Sequence, residues 1–374
     1  MQPTPAPPVT PTVGWYPDPW AKAAWRWWDG QSWTAHVAHG EQHKPRMPAW
    51  LSLPVIPCLV LVVLAVGVLG VQAPLAIALG LVPLVIVAPV LQWLDRVEPE
   101  PRSARIHALL WGATVAVVIS SLVNGIVVGT AGETVAAVFS APFIEEAAKA
   151  GGIWYAVRRR ELDGVMDGVI YAGWTALGFA VVEDFLYFTD ASAAGQLAEL
   201  FVIRALLTPF AHPLFTAWTG LAIGSAVAQG KPLFPRVLVG YALAVASHMA
   251  WNGSLSAGEG SGALLPIAIL LFIGLFVAGA IALFVVRRNE QAHFVALVPW
   301  LAQRYGLTPG EVAVFGEWKG MLSARRALPR DQRKLFDQLH AALARLAHLH
   351  QQPGETDRTS EEVLAAQLHR ARHP

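Results

Sequence analysis

Residues 55–94 read VIPCLVLVVLAVGVLGVQAPLAIALGLVPLVIVAPVLQWL, a run of forty positions without one Asp, Glu, Lys or Arg. A helix needs about 20 apolar residues to cross the hydrocarbon core of a bilayer, so this run is long enough to cross twice. Lipid offers backbone N–H and C=O groups no partners, so the crossings must be helical. Outward from it, apolar segments of similar length recur, giving spans at 50–71, 74–94, 105–129, 132–157, 165–188, 198–229, 233–252 and 263–286. The expected fold class is an all-α membrane protein built on an eight-helix transmembrane bundle.

Composition agrees. Only 14% of the 374 residues are charged and 55% are hydrophobic, against about 25% charged in ordinary soluble domains. A soluble chain so short of charge could not cover its surface. A single cysteine, Cys58, excludes an intrachain disulfide framework and any Cys-cluster metal site. A net charge of +1 gives no case for nucleic acid as a partner.

The charges present are arranged by loop. Arg96, Arg102 and Arg105 form one group, Arg158, Arg159 and Arg160 a second, Lys231 and Arg236 a third, and Arg287 and Arg288 a fourth. The alternate loops, near 72, 130, 190 and 258, carry no Lys or Arg. The positive-inside rule then predicts a multi-pass protein of the cell membrane, surrounded by lipid bilayer, with both termini in the cytosol. No apolar run precedes Trp50, so a cleavable signal peptide is not expected.

Outside the core, residues 50–288, the sequence predicts five further segments. Residues 1–12 are Pro/Thr-rich and expected to be disordered. Residues 13–36 hold six tryptophans, Trp15, Trp20, Trp25, Trp27, Trp28 and Trp33, around Asp29-Gly30, a hairpin signal, and predict a small Trp-rich β-hairpin-like unit. The GWYPDP…RWWDG…WT pattern there resembles a short bacterial domain of unknown function. Residues 37–49 read as a linker, 289–350 as a cytosolic helical region, and 351–374 as a flexible tail. Thr308-Pro309-Gly310-Glu311 is a capping box with proline at the first helical position. The tail histidines read as solvated surface, and what the head and tail bind is left open.

Four spans carry polar residues that lipid penalises; Asp, Lys or Arg at a span centre costs about 2.5–3.5 kcal/mol on insertion scales. The fourth contains PFIEEAAKA, with Glu145, Glu146 and Lys149; the fifth GFAVVEDFLY, with Glu183 and Asp184. The sixth contains RALLTPFAHPLFT, where Arg204, Thr208, His212 and Thr216 recur every four residues as a polar stripe, with Pro209 and Pro213 around His212. The seventh contains SHMAWNG, where His248 and Asn252 share a face. Singly, each group reads as helix–helix glue. Together they bring three glutamates, two imidazoles and an amide into one bundle, a mixture that suits peptide hydrolysis. That reaction needs a base to deprotonate water, donors for an oxyanion and, in some enzymes, a metal held by His and carboxylate.

In order, these motifs resemble those of the PrsW-type intramembrane proteases, distant relatives of the CAAX prenyl proteases. The matching stretches are EEAAK (145–149), DGVIYAGWTALGFAVVED (167–184), the span with Arg204, His212 and Gly220, and HMAWN (248–252), all within about 100–290. The chain departs from the family pattern at Asp184, where the family commonly carries Asn. The resemblance implies an intramembrane endopeptidase acting on membrane-anchored proteins such as anti-sigma factors. It implies Glu145, Glu146, Glu183, His212 and His248 as the catalytic set, with Glu145 as the water-activating base and Lys149, Asn252 and Arg204 in support. Metal dependence stays open. Glu146, Glu183, His212 and His248 could hold Zn²⁺ or another divalent ion, yet the HExxH pair of zincins is missing, and a metal-free glutamate mechanism is equally compatible. Two other readings compete: a proton- or ion-coupled transporter, and a non-catalytic membrane scaffold.

Overall fold

The computed structural model describes residues 14–17, 19–20, 25–28, 30–38, 53–96, 99–159, 161–260 and 264–351, together with 365 and 368. The expected disordered segment 1–12, nearly all of the expected linker and most of the expected flexible tail lie outside the described residues. The chain divides into two compact units, one comprising Pro45–Arg96 and Glu100–Val286, the other the remainder.

The larger unit is helical. Its elements are α1 (Val55–Gln72), α2 (Pro74–Leu94), α3 (Arg102–Ala131), α4 (residues 133–158), α5 (Val165–Ala194), α6 (Leu197–Ala228), α7 (Leu233–Gly260) and the first part of α8 (Leu264–Tyr305). Seven of these helices are long and apolar enough to cross a membrane. The exception is α4, which carries Glu145, Glu146 and Lys149 near its middle.

At the centre stands α5, whose most apolar window is 83% buried. Every residue from Met166 to Ala180 is buried. Small residues let its backbone come close to its neighbours. A Cβ on Gly168 would collide with the carbonyl of Gly220 in α6, and one on Gly220 with the carbonyl of Gly168. The surrounding core is apolar, with Leu91, Ile153, Ile170, Leu177 and Ile223 among its buried members.

Three of these helices contain a stretch of wider, π-type turn: Gly112–Ala116 in α3, Ala136–Ser140 in α4 and Val202–Leu207 in α6. Prolines explain two of them. Pro142 and Pro209 have no N–H to give to the preceding turn, and the turn before each widens. In α6 the helix then stops at Thr208 and restarts at Ala211. The sequence predicts Arg204, Thr208, His212 and Thr216 as one helical stripe; the break divides it, and the Thr208 hydroxyl turns back to the Ile203 carbonyl, 2.9 Å away.

A polar staple ties the α2–α3 connection to α5. Asp95 accepts from the Glu100 backbone N–H at 3.0 Å and from Arg105 at 2.7 Å, and Glu100 accepts from the Tyr171 hydroxyl at 2.5 Å. Burial pushes the Asp95 carboxyl up to about 7, although Arg105 opposes the shift.

In the other unit, the Trp-rich segment forms a three-stranded antiparallel meander, β1 (Gly14–Pro17), β2 (Trp25–Trp28) and β3 (Trp33–Ala38), one strand more than a hairpin. Trp28 pairs with Trp33 across the β2–β3 turn, where Gly30 adopts φ +95°, and the ring of Trp33 meets those of Tyr16, Trp20 and Trp28. Among the described residues, α8 is followed by α9 (Pro309–Phe315), α10 (Trp318–Ala327) and α11 (Arg330–Gln351). The capping box is formed, Glu311 N–H to Thr308 Oγ1 at 3.2 Å and Thr308 N–H to Glu311 Oε2 at 2.7 Å. Phe294, Leu301, Phe315, Met321, Leu343 and Leu346 make a second core. One tail histidine departs from the surface position expected of it: His340 is buried among Phe294, Phe315 and Trp318.

Candidate active site

The five expected site residues come together from four helices: Glu145 and Glu146 from α4, Glu183 from α5, His212 from α6 and His248 from α7. All but Glu183 are buried.

Lys149 organises the α4 side. Its Nζ lies 3.3 Å from Glu145 Oε2, 3.0 Å from Glu146 Oε1 and 3.0 Å from His212 Nδ1, over the ring of Phe179. An ammonium can only donate, so His212 Nδ1 is the acceptor and the ring proton sits on Nε2. That nitrogen faces Glu183 Oε2 at 2.7 Å. His248 holds the opposite tautomer. Its Nδ1 lies 3.1 Å from Glu146 Oε1, and a carboxylate only accepts, so Nδ1 carries the proton and Nε2 is bare. The bare nitrogen is 3.9 Å from Glu145 Oε2.

The two adjacent glutamates therefore differ. Glu146 is fully engaged, by Lys149, by His248 and by the Thr216 hydroxyl at 2.7 Å. Glu145 faces a cavity of about 990 Å³, also lined by Glu183, His212 and His248; Glu146 and Lys149 are not part of its lining. Thr216 was visible in the sequence only as a member of the polar stripe.

Arg204 bounds the site beside Glu183. Its NH2 reaches Glu183 Oε2 at 2.5 Å and its Nε reaches Asp184 Oδ1 at 2.6 Å, with the guanidinium 4.2 Å from the Tyr187 ring centre. Asp184, the position that departs from the family pattern, thus shares a cation with Glu183. Asn252 also lines the cavity, but its Nδ2 donates to the Ala137 carbonyl at 2.8 Å. Ala137 lies in the π-type turn of α4, where the donor five residues on would be Pro142, which has no N–H. The amide satisfies an orphaned carbonyl.

One oxygen or nitrogen each from Glu145, His212 and His248 lie within 4.8 Å of one another. Three protein ligands with an open fourth position are the pattern of a catalytic zinc site, and Glu146 on the far nitrogen of His248 is the outer partner such a ligand needs. Ionised, Glu145, Glu146, Glu183 and Asp184 outnumber Lys149 and Arg204 by two charges, what one divalent ion carries. His248 offers its bare nitrogen to an ion as it stands, whereas His212 would ligate through Nδ1 only with Lys149 moved off it; Glu145 stands in this group where the sequence reading had Glu146 and Glu183.

Comparisons with known proteins agree with the motifs. Residues 100–286 match the profile of the PrsW family intramembrane metalloproteases, and residues 13–46 match a protein family of unknown function, DUF2510. A protein of Geobacillus kaustophilus (strain HTA426) named Protease PrsW is 33% identical over 138 residues, which is 35% of this chain. The chain spans 58% of that relative's length. No solved structure matches.

Proposed function

Because the chain belongs to the PrsW family of intramembrane metalloproteases, we propose that it is an endopeptidase that uses water to cut a peptide bond of membrane-anchored protein substrates, such as anti-sigma-factor-like regulators. The observation that carries this reading is the shared cavity: Glu145, Glu183, His212 and His248 arrive from four helices and line one space of about 990 Å³. The lining includes Glu133, Asp190 and Glu199 but no residue of the arginine-bearing loops. A cavity of that kind favours hydrolysis over an ion path open to both faces.

In this reading α4 is the eighth span, its charged groups held within the bundle away from lipid, and both termini are cytosolic. Glu145 is the base. It faces the cavity, and the 3.9 Å between its Oε2 and the bare Nε2 of His248 is a gap that a water molecule spans with a hydrogen bond to each. Glu145 takes a proton from that water as oxygen attacks the substrate carbonyl, then delivers it to the departing amine. Glu146 fixes the tautomer of His248, and Glu183 orients His212. Lys149 holds both α4 carboxylates in place. Asn252, whose amide has a second hydrogen, lies at the cavity as a donor to the oxyanion. A divalent ion such as Zn²⁺ would be held by Glu145, His212 and His248 in place of that bridging water, with Lys149 moved off His212 Nδ1, and when bound it would supply Lewis acidity to water or carbonyl oxygen.

The test is a comparison of membrane proteomes from cells carrying wild-type or Glu145→Gln protein at equal levels. A single-span protein should lose its truncated form, with the cleavage rate down about a hundred- to ten-thousand-fold. If every truncated form persists in the Glu145→Gln cells, the assignment fails.

A further inference from the structure

The cavity has two unlike walls. On the wall formed by α4 to α7, the charged groups of the site are tied to partners, Arg204 with Glu183 and Asp184, His212 with Glu183, and Glu145 with Lys149 behind it, and Glu133, Asp190 and Glu199 add further carboxylates to the lining. The other wall is α3, which packs against α4 and contributes Val117, Ser120, Ser121 and Asn124 to the same lining. It bears hydroxyls and an amide and no charge.

Ser120 stands out on that wall. It is 3% exposed, and its hydroxyl has no hydrogen-bond partner among the described residues. A hydroxyl in a helix is commonly satisfied by a carbonyl one turn back, and two threonines of α3 behave so: Thr114 donates to the Leu110 carbonyl at 2.5 Å and Thr130 to the Ile126 carbonyl at 2.9 Å. One turn beyond Ser120, Asn124 accepts from the Ser140 hydroxyl through Oδ1 at 2.8 Å. That bond turns its oxygen to α4 and uses none of its amide N–H donors.

The spacing of these two groups matches a particular ligand. Four residues of helix rise about 6 Å. Backbone groups on one edge of an extended strand recur every two residues, about 6.7 Å. A single extended segment can therefore bond to both side chains. Ser120 stands eleven residues before the end of α3 at Ala131, and Glu145 twelve residues after the start of α4 at Glu133; the helices are joined at Gly132, so the two residues are level.

We propose that the Ser120–Asn124 face of α3 is the site that binds the backbone of the substrate's unwound, extended segment and holds the scissile bond opposite Glu145. Ser120 and Asn124 are positioning residues that read polypeptide backbone rather than side chains. This inference rests on the protease reading above.

The experiment uses the full chain in proteoliposomes. Its probe is the single-span protein that loses its truncated form in Glu145→Gln cells. Ser120→Ala should raise KM about fivefold, the effect of losing one hydrogen bond, with kcat changed by less than about twofold. Mass spectrometry of the products should reveal additional cuts at neighbouring bonds, because the register is loosened. Ser120→Thr should restore both KM and the single cut. Since alanine removes an unpaired buried hydroxyl, the Tm of Ser120→Ala should equal or exceed that of the wild type. A wild-type KM with a single wild-type cut overturns the proposal, and so does a fall in Tm, which would make the hydroxyl structural. Cleavage by Glu145→Gln at the wild-type rate would instead overturn the protease reading itself, a result separate from any effect at Ser120.

Discussion

Arg204 serves two carboxylates at once, Glu183 through NH2 and Asp184 through Nε. A planar fork of donors can do this; an ammonium on a flexible stem cannot hold both at the same geometry. Removing one partner of a fully buried ionic pair costs about 3–5 kcal/mol, and removing Arg204, which like Glu183 is part-buried beside the buried Asp184, costs less than that. Arg204→Ala should therefore lower the Tm of the purified protein in detergent by several degrees and abolish cleavage, and Arg204→Lys should restore stability only in part. A triple change, Arg204→Met with Glu183→Gln and Asp184→Asn, should regain stability without regaining activity. Equal Tm values for wild type and Arg204→Ala would remove the clamp from this account. The sequence displayed all three of these residues, but it could not pair them, because the pairing spans two helices. Nor could it separate Glu145 from Glu146. Adjacent residues point about 100° apart around a helix, and which of them meets the cavity depends on how α4 is turned against α6 and α7.

At the scale of the element, the apolar runs and their breaks were legible. Pro209 and Pro213 marked a disturbed turn around His212, but the form of the disturbance, and the one before Pro142, could not be read. A four-residue stripe assumes 3.6 residues per turn, and the π-type segment Val202–Leu207 breaks that assumption for Thr208. The same effect captured Asn252, since the orphan carbonyl of Ala137 exists only because a widened turn runs into Pro142. In α11, His340 was missed because Leu335, Leu339, Leu343 and Leu346 mark the apolar face and a histidine next to Leu339 reads as its polar edge. Burial holds the His340 imidazolium down, at about 4, with Arg325 also opposing the charged form and Asp337 favouring it. The sign follows. The folded tail keeps His340 neutral, while the unfolded chain takes up a proton below about 6.5. Stability is thus complete above that pH and is lost as pH falls toward 4, by about 2 kcal/mol at pH 5. Amide exchange over α9 to α11 in the full chain, corrected for intrinsic rates, should quicken between pH 7.5 and pH 5, and His340→Phe should suppress the change. An equal quickening in His340→Phe would assign the effect to another group.

For the whole molecule, the governing quantity is where charge is allowed. Cations sit at Arg96 to Arg105, Arg158 to Arg160, Lys231 to Arg236 and Arg287 to Arg288, and are missing from the intervening loops. A single uncounted crossing would shift every later loop to the wrong side, so the alternation argues for α4 as a span even though its own composition argues against it. The two arguments are compatible, because Lys149 bonds both Glu145 and Glu146 inside the bundle. Hydropathy summed along one helix charges α4 for polar groups that never meet lipid. Single-cysteine labelling tests the count and the orientation together. In a Cys58→Ser background, cysteine in place of the exposed Ala131 or Ser192 should react with a membrane-impermeant maleimide on intact cells. Cysteine in place of the exposed Ser103, Arg158 or Lys231 should react only after permeabilisation. If Ala131→Cys and Arg158→Cys label from the same side, α4 does not cross. Every loop after it would then need a new address, and a cavity shared by Glu145, Glu183, His212 and His248 could not be built by antiparallel spans in this order.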